Sequence, residues 1–238
     1  MKTNHPIFQA VLLVLLTAAF QQPTQHLTDV PDHPWDLILA RPTNNAVTAS
    51  LLAYKDSEAY LEYGTSSGTY TAQTAVSSFP KGQPANIALS GLPANTRHYY
   101  RLRIRDVGST EFTASQEFNF ITKRPPGSTF TFTMQADSHL DENTDPLIYA
   151  QALANMRADN PDFLIDLGDT FMTDKYGTTY KDAAKQYLAQ RYYFGLLCTN
   201  APLLMALGNH DGEQGRYLNG TSDNMTIWSN TMRKSHFP

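Results

Sequence analysis

Three short polar clusters stand out for chemistry: Asp137-Ser138-His139, Gly168-Asp169 and Gly208-Asn209-His210-Asp211. Asp137 and His139 alternate around Ser138, so both side chains can reach one cation while the serine points away. Asp169 carries two carboxylate oxygens and can bridge two cations. Asn209 offers a neutral amide oxygen. A mixed nitrogen and oxygen donor set suits Zn, Fe or Mn better than Ca or Mg. The glycines before Asp169 and Asn209 permit tight turns and close approach of backbone to a ligand.

Such clusters need rigid elements to bring them together. Phe130, Phe132, Met134 and Ala136 alternate along a first strand. Pro146–Arg157 has a helical period, with Ile148, Ala152 and Met156 four apart. Phe163–Leu167 reads as a second strand. Tyr180–Cys198 reads as a second helix, packing through Ala184, Tyr187, Leu188 and Tyr192, and Leu203–Leu207 as a third strand. Alternating strands and helices predict βαβ units with parallel strands. Ligands of such sheets bind beyond the carboxyl ends of the strands. All three clusters follow a strand, so all three are expected at one edge. The remainder, Gly212–Pro238, reads as a polar loop region.

The preceding half has a different pattern. From Trp35 to Thr122 short period-two runs alternate with turn signals, as in Val47, Ala49, Leu51 and Ala53, which predicts a β-sandwich. Lys123-Arg124-Pro125-Pro126-Gly127-Ser128 reads as a linker. At the N-terminus, Lys2 and the apolar run from Ile7 to Phe20 predict a secretory signal peptide over residues 1–19. The run is shorter than the roughly 20 apolar residues of a spanning helix. Hence a secreted or periplasmic protein is expected, with no stable membrane span after cleavage. The net charge of −4, without a Lys/Arg block, gives no nucleic-acid-binding patch. The single cysteine, Cys198, sits in an apolar run and reads as a core residue.

Two resemblances add to this reading. Gly91-Leu92-Pro93-Ala94-Asn95-Thr96-Arg97-His98-Tyr99-Tyr100-Arg101 resembles the corner segment of fibronectin type III-like domains, with His98 where a tyrosine is usual. The set DSH, GD and GNHD, in this order, resembles the calcineurin-like metallophosphoesterase superfamily. Together they imply a fibronectin type III-like sandwich over residues 35–124, as in purple acid phosphatases. The first part of an α/β metallophosphoesterase domain of four-layer αββα type would follow over residues 128–238. By the same resemblance Asp137 and His139 bind a first metal, Asp169 bridges, and Asn209 binds a second. His210 then serves the leaving group as catalytic residue, with Asp211 as an outer partner orienting it. The cofactors implied are two divalent or trivalent transition metals (Fe, Zn or Mn). The implied reaction is hydrolysis of a small phosphate mono- or diester by a metal-activated hydroxide. The residues after Asp169 lack the metal-bound tyrosine of purple acid phosphatases, so no Fe–tyrosinate colour is expected.

The superfamily's GHxH histidines do not follow His210; only His236 does. The phosphoesterase domain therefore reads as incomplete at its C-terminus, and the second-metal site as partial. The alternative is an inactive fragment or pseudoenzyme acting as a secreted binding module. A serine-nucleophile α/β hydrolase is set aside for want of a nucleophile elbow.

Overall fold

The computed structural model describes residues 26–238; the expected signal peptide lies outside them. The strands β1 (Trp35–Ala40), β2 (Ala46–Ala53), β3 (Ser57–Gly64), β4 (Ala72–Gln73), β5 (Ser77–Phe79), β6 (Ala85–Ser90), β7 (Arg97–Asp106), β8 (Thr113–Ala114) and β9 (Phe118–Ile121) build the sandwich. β1, β2 and β6 form one antiparallel sheet, and β3 and β7 form the centre of the other. The period-two residues Val47, Ala49, Leu51 and Ala53 of β2 enter a core with Leu61, Tyr100, Leu102 and Phe120. This is the fibronectin type III-like arrangement. At its corner, a ring nitrogen of buried His98 lies 3.4 Å from the carbonyl of Pro93. A tyrosine hydroxyl makes the corresponding backward contact in such corners.

The second half supplies β10 (Phe132–Gln135), α1 (Pro146–Ala158), β11 (Phe163–Asp166), α2 (Ala184–Cys198), β12 (Leu203–Met205) and α3 (Met225–His236). β10, β11 and β12 are parallel neighbours, in the register Met134–Ile165 and Ile165–Leu204. Asp145 caps α1, accepting from the amides of Leu147 (2.8 Å) and Ile148 (3.3 Å), with Pro146 in the first turn.

One sheet crosses both halves. β12 pairs in parallel with β1 at Leu203 and Ala40, giving the order β10-β11-β12-β1-β2-β6. β1 is consequently buried on both faces: Leu37 and Leu39 join the sandwich core, and Ile38 joins a second core with Phe194, Leu197 and Leu203. Arg191 of α2, fully buried, donates to the carbonyl (3.0 Å) and hydroxyl (3.3 Å) of Ser50 in β2, and to the carbonyl of His236. Tyr100 of the far sheet donates to the carbonyl of Thr199 at 2.7 Å.

Two expectations are corrected, the start of the second helix and the loop after Gly212, and the inner and outer faces of α1 and β10 become visible. The inner face of α1 is Tyr149, Leu153 and Met156; Ile148 is 68% exposed. The Tyr149 hydroxyl fixes this rotation by bonding Gln190 of α2 at 3.2 Å. The second helix begins at Ala184, because Thr173–Ala183 is a run of 3-10 turns broken at Gly177; α2 also buries most of its circumference, Gln186, Gln190 and Arg191 included. The supposed loop after Gly212 contains α3, capped by Asn224, with Trp228 and Met232 packed against the second core. Phe132 and Met134 alternate as expected, yet that face of β10 is exposed among the described residues.

Candidate metal centre

The parallel register brings the three clusters to one edge. The Asp137 amide donates to the carbonyl of Gly168 (3.0 Å), and the His210 amide to Asp169 Oδ1 (2.7 Å). Gly168 has φ +95°, and a Cβ there would collide with the backbone of Gly208; a Cβ on Gly208 would strike the Asp169 carboxylate. The two glycines are what lets these loops touch. Asp137, His139, Leu140 and Asp169 all have positive φ (58°, 46°, 54° and 54°). Each such residue costs on the order of 1–3 kcal/mol, and strain of this kind concentrates at ligand clamps.

The structure brings Asp137, His139 and Asp169 together: one ligand atom from each lies within 4.8 Å of the others. His139 Nε2 is buried without a hydrogen-bond partner and stands 3.3 Å from Asp137 Oδ1. An orphaned imidazole nitrogen facing two carboxylates is the donor set of a transition-metal site, so these residues fit a cation. Asn209 lies between Gly208 and His210 on the same edge, with its side chain exposed.

The Asp211 carboxylate makes no hydrogen bond to the His210 side chain. It is buried, and its oxygens accept from the amides of Asp169 (3.0 Å), Thr170 (2.8 Å), Phe171 (2.8 Å) and Gly208 (2.8 Å). Burial pushes its pKa up against the effect of these four donors. It splices the Asp169 loop to the Gly208 loop. The partner of His210 is Asp174, whose carboxylate oxygens lie 2.8 and 3.0 Å from Nδ1. Asp174 has a further bond from the Tyr217 hydroxyl at 3.0 Å, and Arg216 donates to that hydroxyl at 2.7 Å. The Asp174 side chain is only 11% exposed, and the sole signal for it in the sequence is its position five residues after Asp169.

Beneath the edge runs a closed ring of buried hydrogen bonds. Asp166 accepts from Thr170 Oγ1 (2.5 Å) and Gln135 (3.1 Å), Gln135 donates to Tyr149, Tyr149 to Gln190, and Gln190 to the Thr170 carbonyl. Gln190 also reaches Ser138 Oγ at 2.9 Å, so Ser138 faces the core, away from the cluster. Burial raises the Asp166 pKa to about 6. The thiol of Cys198 is buried in the second core, which raises its pKa and keeps it neutral. The G-x-S-x-G pattern does occur, at Gly64-Thr65-Ser66-Ser67-Gly68. It forms the turn between β3 and β4, where Ser67 Oγ bonds Glu117 at 2.6 Å, and so lacks the strand-to-helix turn of a nucleophile elbow.

Residues 130–238 match the model of the calcineurin-like phosphoesterase family. Over these residues the chain is similar to that family. Among solved structures, the chain is similar to that of PhoD, with 12% identity and a TM-score of 0.58 over 88% of this chain and 47% of that one. It is also similar to the purple acid phosphatase PPD1 from yellow lupin (Lupinus luteus) seeds, with 16% identity and a TM-score of 0.59, over 85% of this chain and 40% of that one. The chain thus spans less than half the length of either. At these identities the likeness establishes a common fold, sandwich and phosphoesterase region together. No curated protein matches the chain in sequence.

Proposed function

We propose that this chain carries the sandwich and the first-metal half of a secreted phosphoesterase that cleaves small phosphate esters with two transition-metal ions. The observation that carries the reading is the orphaned His139 Nε2 beside the Asp137 and Asp169 carboxylates. Asp137, His139 and Asp169 would hold one cation, and Asp169 with Asn209 would contribute to a second. Bound cations supply Lewis acidity toward the phosphoryl oxygens and an acidified water as nucleophile. His210 does the proton work. Asp174 takes its Nδ1 side, which leaves Nε2 to deliver a proton to the departing oxygen. Asp211 keeps that histidine and Asp169 in mutual register through four amides. Secretion rests on the apolar run at residues 7–20.

Metal titration tests the reading. Mn²⁺ or Co²⁺ at a hundredfold over its Kd should stabilise the protein by about 2.7 kcal/mol. The shift should vanish in His139→Ala and Asp169→Asn. A wild-type protein whose melting temperature ignores both metals would sink it. Hydrolysis of p-nitrophenyl phosphate against its bis ester then separates mono- from diesterase.

A further inference from the structure

The residue that follows the metal loop has no part in the reading above. Asp141 is buried, and its Oδ2 lies 3.4 Å from His139 Nδ1. Its other oxygen accepts from the amide of Asn143 at 2.9 Å. A buried carboxylate needs polar partners to offset its desolvation, and Oδ2 has its ion-pair contact with this imidazole. An ionised carboxylate only accepts, so the proton of a neutral His139 belongs on Nδ1. The lone pair then sits on Nε2, the atom that faces Asp137 and has no partner.

We propose that Asp141 is a positioning residue that fixes the tautomer and ring orientation of His139, presenting Nε2 as the ligand atom of the metal centre. The proposal rests on the metal reading for its consequence, and on side-chain geometry for its substance. Metal-binding histidines are commonly oriented through the nitrogen that does not bind.

The backbone here is built to return this carboxylate to a ring two residues earlier. His139 and Leu140 both adopt left-handed φ, which reverses the chain. Four contacts hold the reversal. The Leu27 amide donates to the Leu140 carbonyl at 2.7 Å, Thr144 Oγ1 to the Ser138 carbonyl at 3.2 Å, and the Gln186 amide to the His139 carbonyl. His26 forms a β-bridge with Asp141 and stacks on Tyr176, with ring centroids 3.7 Å apart. The segment at 26–27 is thus a strap across the turn that carries Asp141.

Asp141→Asn is the discriminating variant. It keeps the size and the Asn143 contact, but turns an amide NH₂ toward Nδ1, which forces Nδ1 to accept and moves the ring proton to Nε2. Long-range ¹H–¹⁵N spectra of the metal-free protein should show His139 as the Nδ1–H tautomer in the wild type and as Nε2–H in Asp141→Asn. Calorimetric titration with Co²⁺ alone should show roughly 10–100-fold weaker binding in the variant, with the metal-free melting temperature close to wild type. An Nε2–H tautomer in the wild-type protein overturns the proposal. So does wild-type Co²⁺ affinity in Asp141→Asn when His139→Ala has lost it. If the wild type binds no Co²⁺, the metal reading has failed, and the wild-type tautomer still decides the role of Asp141. The same spectrum decides it if the variant does not fold.

Discussion

His210 turns Nδ1 toward both carboxylate oxygens of Asp174, at 2.8 and 3.0 Å, across 36 residues of sequence. The contact is doubled in the backbone, where the Asp174 amide donates to the His210 carbonyl at 3.3 Å. An imidazole held this way keeps its proton on Nδ1 when neutral. His210→Ala should lower kcat by roughly 10²–10⁴-fold, and Asp174→Asn by on the order of 10–100-fold. Co²⁺ affinity should change little in either. Equal losses of metal and activity in Asp174→Asn would instead make Asp174 part of the metal site.

Asp211→Asn places an NH₂ group where four amides converge on carboxylate oxygens. At least one buried amide then loses its acceptor, at a cost of about 1–3 kcal/mol. The melting temperature should fall by roughly 2–4 °C for each kcal/mol in a chain of this size. Metal affinity should fall as well, because the Asp169 and Gly208 loops are no longer spliced. Thermal unfolding with and without Mn²⁺ checks both parts. An unchanged metal-free melting temperature would contradict the splice.

The strands and the shared edge were legible because period-two runs and strand-end clusters are local signals. Asp137, His139 and Asp169 could be grouped on topology alone. The roles of Asp174 and Asp211 could not. That of Asp174 depends on how the 3-10 turns after Met172 fold back over His210, and that of Asp211 on how the Asp169 loop meets the Gly208 loop; neither carboxylate has a local pattern that marks its partner. The buried side of α1 is not legible for a related reason. Ile148 and Tyr149 are adjacent, and the bond from Tyr149 to Gln190 decides which of them faces inward. The joining of β1 to β12 links residues 163 positions apart, where period-two alternation carries no information on partners.

Arg191→Met should be strongly destabilising. The guanidinium is fully buried, and desolvation pushes its pKa down to about 10. Removing it leaves the Ser50 and His236 carbonyls without this donor. A buried acceptor left without its partner costs about 1–3 kcal/mol. Because β1 is shared by both cores, calorimetry should show one unfolding transition at lower temperature. Two separated transitions would argue that the halves fold independently.

Asp166 makes a pH-dependent contribution of defined sign. Its folded pKa is raised from 3.8 to about 6 by burial, so the folded state binds this proton more tightly than the unfolded chain. The stability it contributes is full below about pH 4 and is lost as pH rises through about 6. Asp166→Asn removes that slope. The melting temperature of the variant minus that of wild type should therefore be more positive at pH 8 than at pH 4.5. Parallel curves across this range would show that Asp166 does not titrate in this window.

The stretch Lys123–Ser128 looks like a tether, with its two prolines and glycine. The pairing of Ala40 with Leu203 gives it a different character. A tether can be lengthened, shortened or exchanged, since the bodies it joins share no hydrogen-bond ladder. Here the chain on either side of the stretch belongs to one ladder, and the Arg124 guanidinium is anchored to Asp162 through two bonds of 3.0 Å. The segment acts as a spacer of fixed length. The sandwich is part of the chassis on which the candidate metal edge is mounted, and it is not a cartridge that can be swapped for another module at the prolines.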